Sequence, residues 1–175
     1  MAFNIIPRER PSDQVALTER SGRIVAALID LGITHAVGVP DNHSRVIFEM
    51  LAADPAVQVV PVCREGEAWA IASGIWVGGK CPVVIIQNTG FFESGDSLRG
   101  TAIEMGVPLV ALLGYRGHHS LTQPNSDSAA SFFEATLRAW NVPYQFLTEQ
   151  NESNVFRAAF EQACAQRRPV AVLMT

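Results

Sequence analysis

The chain has 175 residues, of which 48% are hydrophobic and 17% are charged, and its formal net charge at pH 7 is −4. This length is typical of one domain, and the apolar composition excludes intrinsic disorder over most of the chain. There are 13 basic and 17 acidic residues. Because no basic run is present, the sequence argues against a nucleic-acid partner. The apolar surplus suggests a surface that is buried against another subunit.

The N-terminal segment differs in character from the rest of the chain. Residues 1–11 contain two prolines and several charges without periodicity, which predicts a loose arm before a single domain at 12–175. The longest apolar run, 107–115, is about half the length of a membrane span. The early charges argue against a signal peptide, and the three cysteines follow no disulfide or metal spacing. We therefore expect a cytoplasmic protein that does not enter a membrane.

Apolar periodicity predicts helices and strands that alternate along the chain. The strands are continuous apolar runs, which is typical of a parallel sheet covered by helices on both faces. The sequence thus predicts a doubly wound α/β domain with a six-stranded parallel sheet. In chain order the predicted elements are a helix at 13–31, a strand at 34–40, a helix at 43–53, a strand at 57–62, a helix at 66–79, a strand at 82–87, a helix at 94–106, a strand at 108–115, a helix at 128–140, a strand at 141–147, a helix at 152–166 and a strand at 168–174.

Two familiar phosphate-binding motifs can be dismissed. The segment Gly74–Cys81 comes within one residue of a phosphate-binding loop, but it follows a predicted helix and precedes a strand. A phosphate site needs the reverse order, so that the N-terminus of a helix faces the phosphate. We interpret the segment as a helix C-terminus. The sequence also has no G-x-G-x-x-G after a strand, which is the fingerprint of dinucleotide binding.

Polar residues concentrate in four segments that follow predicted strands. Parallel sheets bind ligands at the carboxyl ends of their strands, so these segments are expected to form one site. The four segments are GVPDNH at 38–43, CREGEA at 63–68, QNTGFFES at 87–94 and GYRGHHS at 114–120.

The succession GVPDN, REGEAWAIASGIWVGGKCPVVIIQNTG and PLVALLGYRG resembles the pyrimidine-binding (PYR) domain of thiamine-diphosphate enzymes. The resemblance covers about residues 13–175, and its most specific part runs from Arg64 to Gly90. Among these enzymes the chain is most similar to the alpha subunit of two-subunit sulfopyruvate and phosphonopyruvate decarboxylases. The resemblance implies the PYR-type fold and thiamine diphosphate as the cofactor.

The resemblance also implies which residues bind the cofactor. It gives Glu65 a catalytic role, in which the carboxylate hydrogen-bonds the aminopyrimidine ring and promotes loss of the thiazolium C2 proton. Glu67 is the competing acid, which we interpret as a first-turn residue that faces the helix dipole. Asn88, Thr89 and Gly90 match the segment beside the pyrimidine, where Gly90 would permit a close backbone approach. A capping role for Glu65 and a plain turn at 88–90 are the structural alternatives.

Further matching positions are expected to contact the substrate. Asp41 and Asn42 match the loop after the first strand, where an acidic residue reaches the substrate, and the register is open by one residue. His118 and His119 match a twin histidine of some decarboxylases, which handles protons of the substrate or intermediate. Arg116 would hold a substrate carboxylate, or it is a plain surface arginine. The histidines stand where the phosphonopyruvate enzymes have Gly-Glu-Pro-Gly, which argues against phosphonopyruvate itself. No histidine spacing predicts a metal site.

The resemblance further implies a partner subunit. Thiamine-diphosphate enzymes bind the diphosphate and Mg²⁺ through a second, PP domain with a Gly-Asp-Gly run, and this sequence has no such run. We therefore expect a PP-domain beta subunit that holds Mg²⁺, in an α2β2 or larger hetero-oligomer. The expected activity is decarboxylation of a 2-oxo acid. The alternatives are a carbon–carbon lyase or carboligase acting on an α-hydroxy ketone, and a non-catalytic regulatory or binding subunit.

Overall fold

Six parallel strands form one sheet in the order β2-β1-β3-β4-β6-β5. They belong to a computed structural model that describes the backbone of residues 11–175 and the side chains from Gln14 onward, so residues 1–10 of the expected arm lie outside the described residues. The predicted doubly wound sheet is confirmed. The strands are β1 (His35–Gly38), β2 (Gln58–Pro61), β3 (Pro82–Gln87), β4 (Val110–Gly114), β5 (Tyr144–Phe146) and β6 (Val170–Met174).

The central strands are buried on both faces, which explains why they are apolar except at their ends, as at Gln87 of β3. In β3, Val83 and Ile85 point into one hydrophobic cluster, whereas Val84 and Ile86 point into the other. Successive side chains of a strand alternate between the faces of a sheet, so a strand covered on both sides is apolar in its interior.

Helices cover both faces of the sheet. One face carries α1 (Pro11–Asp30), α2 (Arg45–Ala53) and α7 (Val155–Gln166). The other face carries α3 (Glu65–Val77), α4 (Asn88–Glu93), a π-helical turn (Leu98–Ile103) and α6 (Ser128–Ala139), while α5 (Gly95–Ser97) and a 3₁₀ turn (His118–Thr122) are short connections. Among the described residues no helix has both the length and the hydrophobicity to cross a membrane.

The segment after β3 is the place where the sequence prediction was wrong. A loop was expected at 87–94 and a helix from 94 to 106, but α4 begins at Asn88, directly after the strand, and the following segment divides into α5 and the π-helical turn. The ring of Phe91 is fully buried and lies 5.5 Å from the ring of Phe133. This packing stabilises a helical turn that the local Asn, Gly and Ser content disfavours.

The other predicted elements are present, with ends that differ by at most three residues. One difference bears on function, because the strand predicted at 57–62 and the helix predicted from residue 66 left Glu65 in the connection after the second strand. It is instead the first residue of α3, four positions after the end of β2 at Pro61. Glu65 therefore lies at a helix N-terminus, where backbone N–H groups and the helix dipole favour an acidic side chain.

The strand order places a crevice between β1 and β3. The chain runs from β1 outward to β2 and then returns to β3 on the other side of β1. The connections after β1 and β3 therefore leave toward opposite faces, and such switch points are where doubly wound sheets bind ligands. Because all six strands are parallel, the four predicted polar segments share this edge of the sheet.

Candidate functional site

Glu65 packs directly against Gly90, which lies in the first turn of α4. A Cβ atom built on Gly90 would stand 2.2 Å from Cγ and 2.5 Å from Oε1 of Glu65. Only a glycine leaves room for this approach. The structure thus brings together two of the residues predicted to bind a cofactor, one from α3 and one from α4. The Glu65 side chain is half-buried in this position.

Glu67 caps the first turn of α3. One of its carboxylate oxygens, Oε2, accepts hydrogen bonds from the backbone N–H groups of Cys63 and Arg64, both at 3.2 Å. The interpretation of Glu67 as a first-turn acid is therefore confirmed. In the described part of the chain no group donates a hydrogen bond to the Glu65 carboxylate, since the donors of this turn go to neighbouring acids.

Glu93, at the end of α4, is a third acid that sequence reasoning missed. Its Oε2 accepts a hydrogen bond from the N–H of Gly66 at 2.9 Å, and its Oε1 accepts one from Nε of Arg64 at 2.8 Å. The Gly66 N–H and the Arg64 guanidinium together lower the pKa of Glu93 below its ordinary value. The only sequence signal for this residue was its place in the polar segment 87–94.

Asn88 joins α4 to the turn that follows β4. It is fully buried, its Nδ2 donates a hydrogen bond to the carbonyl oxygen of Arg116 at 2.9 Å, and its Oδ1 accepts one from the N–H of Thr89 at 3.0 Å. Both ends of the amide are therefore used within the chain, which makes Asn88 a structural support of the site. Thr89 is half-buried beside it, and direct contact of either residue with a cofactor stays a prediction.

The turn after β4 is held by hydrogen bonds and places Arg116 at the surface. Gly117 adopts φ +79°, and a Cβ there would come within 2.9 Å of the Asp127 side chain. The hydroxyl of Ser120 bonds the Gly117 carbonyl at 2.7 Å and accepts from the Asp127 N–H at 2.8 Å. The Arg116 guanidinium is 57% exposed and 3.8 Å from Asp127 Oδ2. Most of its donors thus face solvent and are available to an anion.

The two histidines of this turn have different surroundings. His118 is half-buried, and its ring centroid lies 4.8 Å from that of Tyr115 and 5.8 Å from that of Phe146, whereas His119 is exposed. The hydroxyl of Tyr115 donates to Glu134 at 3.2 Å. Burial, and then the nearby Glu134 charge, raise the pKa of Tyr115 to about 12. The ring of His118 therefore packs against two neutral aromatic rings, those of Tyr115 and Phe146.

In the loop after β1, the Asp41 side chain closes the turn that directly precedes α2. Its Oδ1 accepts hydrogen bonds from the N–H groups of His43 and Ser44, both at 2.8 Å, while its buried Oδ2 has no partner in the described part of the chain. Asn42 is exposed. His43, which was not among the predicted site residues, lies over Gly114 at the end of β4, 3.8 Å from the place a Cβ there would take.

Three contacts connect the four strand-end segments into one surface, as the parallel sheet predicts. Glu65 touches Gly90, Asn88 bonds the Arg116 carbonyl and His43 lies over the end of β4. The half-buried Glu65 carboxylate lies on this surface and has no internal donor among the described residues. It therefore suits a ligand that presents an N–H group, such as the amino group or the protonated ring nitrogen of an aminopyrimidine. Among residues 11–175 no group of three or more acidic, His or Cys side chains could hold a metal ion.

Two relatives found by sequence comparison are both named sulfopyruvate decarboxylase subunit alpha. Over 99 residues the chain is 34% identical to sulfopyruvate decarboxylase subunit alpha of Methanothermobacter thermautotrophicus, a match that covers 57% of this chain and 60% of that protein. Over 155 residues it is 22% identical to the subunit of the same name from Methanococcus maripaludis, which covers 88% of this chain and 93% of that one.

A solved structure and a family model agree with these relatives. The benzoylformate decarboxylase of Polynucleobacter necessarius superposes with a TM-score of 0.70 at 20% identity, over 89% of this chain and 29% of that enzyme, which supports the fold. Residues 21–131 match the family model described as thiamine pyrophosphate enzyme, N-terminal TPP binding domain. This match covers well over half of the chain, so the chain belongs to the family of N-terminal TPP-binding domains of thiamine pyrophosphate enzymes.

Proposed function

We propose that this chain is the PYR-type alpha subunit of a heteromeric thiamine-diphosphate-dependent decarboxylase that acts on a 2-oxo acid. The observation that carries the proposal is the Glu65 carboxylate, which is seated on Gly90 and has no internal donor. It occupies the ligand-binding edge of the sheet in a chain of this family. The relatives named sulfopyruvate decarboxylase subunit alpha support the reaction class.

Glu65 is the proposed catalytic residue toward the cofactor. Thiamine diphosphate, when bound, supplies an electron sink for the electron pair that remains when a 2-oxo acid loses carbon dioxide. Glu65 would share one proton with a ring nitrogen of the aminopyrimidine, donating a hydrogen bond to it when the carboxyl group carries the proton and accepting one when the ring nitrogen does. Gly90 fixes the place of the carboxylate, and Thr89 contributes to the same wall of the site.

The substrate is assigned to the turn after β4 and the loop after β1. The exposed Arg116 binds the carboxylate or the second acidic group of the substrate. His118 and His119 exchange protons with the substrate, since an imidazole can act as both a proton donor and a proton acceptor. Asp41 and Asn42 contribute the loop after β1, where the exposed Asn42 is the side chain open to a substrate.

The remaining part of the cofactor is assigned to a partner. The described part of this chain offers no cluster of metal-binding side chains. In this proposal a PP-domain beta subunit holds the diphosphate and Mg²⁺, and the cofactor site is completed only in an α2β2 or larger assembly. The names of the relatives, which are subunits, support a partner of this kind.

The proposal is tested by co-expressing the chain with a candidate beta subunit and measuring the release of carbon dioxide from sulfopyruvate with thiamine diphosphate and Mg²⁺. We expect Glu65→Gln to fold normally and to lose roughly 10²–10⁴-fold in turnover. Glu67→Gln is the matched control: it weakens a helix cap two residues away, which costs about 1 kcal/mol of stability, and leaves turnover nearly unchanged.

Three results would contradict the proposal. Wild-type turnover in Glu65→Gln would remove the catalytic role of this residue. Cleavage of an α-hydroxy ketone without release of carbon dioxide from any 2-oxo acid would favour a carbon–carbon lyase. A chain that binds neither a beta subunit nor thiamine diphosphate would favour a non-catalytic binding protein of the same fold.

A further inference from the structure

Glu93 and Arg64 hold the backbone on both sides of Glu65. We propose that Glu93, assisted by Arg64, is a positioning residue that fixes the orientation of the Glu65 carboxylate, an inference that rests on the proposed role of Glu65. Neither residue matches a role assigned to the site from sequence. Both lie outside the set predicted to contact the cofactor or the substrate.

The Glu93 carboxylate bonds both sequence neighbours of Glu65, which are Arg64 and Gly66. Oε1 of Glu93 accepts from Nε of Arg64 at 2.8 Å, and Oε2 accepts from the N–H of Gly66 at 2.9 Å. Glu93 lies one turn after Gly90 on α4, the helix against which Glu65 packs. The residue before Glu65, the residue after it and its packing surface are thus all tied to the same short helix.

The backbone of Gly66 lies close to α4 and α5. A Cβ on Gly66 would lie 3.2 Å from Oγ of Ser97 and 3.5 Å from Oε2 of Glu93. The first N–H groups of a helix have no acceptor inside the helix. Glu93 supplies one for Gly66, so the turn is fixed without any use of the Glu65 carboxylate.

The Arg64–Glu93 ion pair is largely exposed, so we expect it to affect the position of Glu65 more than the stability of the fold. The Arg64 side chain is 73% exposed and that of Glu93 is 31% exposed, and exposed ion pairs contribute little to stability. The pKa of Glu93 is lowered by the Gly66 N–H and by Arg64, so the carboxylate stays ionised at neutral pH. Its removal is therefore expected to change the geometry of Glu65 more than the stability of the fold.

The test compares Glu93→Ala with Glu93→Gln in the complete enzyme, with the full chain and its beta subunit. Alanine removes both bonds, whereas glutamine keeps an oxygen that can accept from the Gly66 N–H. We expect turnover to fall roughly 10- to 100-fold in Glu93→Ala, since a misplacement of about 1 Å has effects of this size. Turnover in Glu93→Gln should recover most of the loss, and the KM for the 2-oxo acid should change less than about twofold in both. The matched control is Glu49→Gln, which breaks the exposed Arg45–Glu49 ion pair on α2.

A second measurement does not depend on activity. Amide hydrogen exchange at Gly66, measured on the full chain, should accelerate in Glu93→Ala and remain slow in Glu93→Gln, because only the first variant lacks the acceptor. Unchanged exchange at Gly66 in Glu93→Ala would overturn the inference, since the bond would then not exist in solution.

The outcomes separate this inference from the proposed function. If Glu65→Gln is inactive and Glu93→Ala has wild-type turnover and wild-type half-saturation by thiamine diphosphate, the positioning role is overturned and the proposed function stands. If the loss in Glu93→Ala disappears at a temperature where the variant is fully folded, its role is only structural and the inference fails. If Glu65→Gln is fully active, the proposed function fails and the inference fails with it.

Discussion

Replacing Gly90 with alanine tests the contact on which the candidate site depends. The added methyl group would stand 2.2 Å from Cγ of Glu65, while ordinary van der Waals contact begins near 3.4 Å, so the side chain must retreat by more than about 1 Å. The group that must move is a half-buried carboxylate on a flexible side chain, not backbone. The fold can therefore accommodate the substitution, but the Glu65 carboxylate must move away from its position against Gly90.

The structure predicts a large effect on turnover and a small effect on stability. A displacement of about 1 Å at a catalytic group is expected to reduce turnover roughly 10- to 100-fold. Alanine is favoured over glycine in a helix by about 0.5–1 kcal/mol, and crowding at a packed position costs about 1–3 kcal/mol. The net change in the free energy of unfolding should therefore stay within about 2 kcal/mol, which is small beside the 5–15 kcal/mol typical of a domain.

The assay measures turnover of the complete enzyme together with the urea-induced unfolding of the chain. Gly22→Ala on α1 is the matched control, because no atom lies within 4 Å of the added methyl group. It should raise the free energy of unfolding by up to about 1 kcal/mol and leave turnover unchanged. A folded Gly90→Ala variant with wild-type turnover would refute this prediction, since Glu65 would then act without close packing against Gly90.

Three further predictions concern the surroundings of the site. Asn88→Ala removes a buried amide that bonds the Arg116 carbonyl, and urea unfolding should show a loss of about 2–4 kcal/mol, whereas a loss below about 0.5 kcal/mol would contradict the structure. The pKa values of both tyrosines, Tyr115 and Tyr144, are raised above 10.0, so the midpoints of their tyrosinate absorbance should lie above that pH, with Tyr115 titrating at about 12. The folded-state pKa of Glu93 lies below its ordinary value of 4.5. Its contribution to stability is therefore complete above pH 4.5 and is lost as the pH falls through the folded value, so Glu93→Gln should flatten the acid side of a plot of melting temperature against pH.

The sheet could be predicted because its pattern is local. Strands such as β3 and β4 are short apolar runs between turn residues, because burial on both faces excludes polar side chains from their interiors. The strand order could not be predicted in the same way, because several doubly wound orders share one alternation of strands and helices. The placement of β6 between β4 and β5 depends on pairing between distant segments, which periodicity does not encode.

The candidate site was predictable to the level of its segments, but not of its contacts. The carboxyl ends of parallel strands lie at one edge of the sheet, so the placement of Glu65, Gly90 and Arg116 at the same edge followed from the strand assignment. The early start of α4 did not follow, because the packing of Phe91 in the core overrides the local preference for a loop. The hydrogen bond from Arg64 to Glu93 joins residues 29 positions apart, and no local sequence pattern predicts it.

The arrangement of acids at the start of α3 explains how a helix N-terminus can serve a ligand. Unpaired N–H groups and the helix dipole draw carboxylates to this position, and most of them act as caps. Here Glu67 accepts from the N–H groups of Cys63 and Arg64, and Glu93 accepts from that of Gly66. Three donors of this turn are thus satisfied by two other acids, Glu67 and Glu93. A Glu65 that capped the helix would have its oxygens occupied, whereas this Glu65 keeps a carboxylate that an external N–H donor can use.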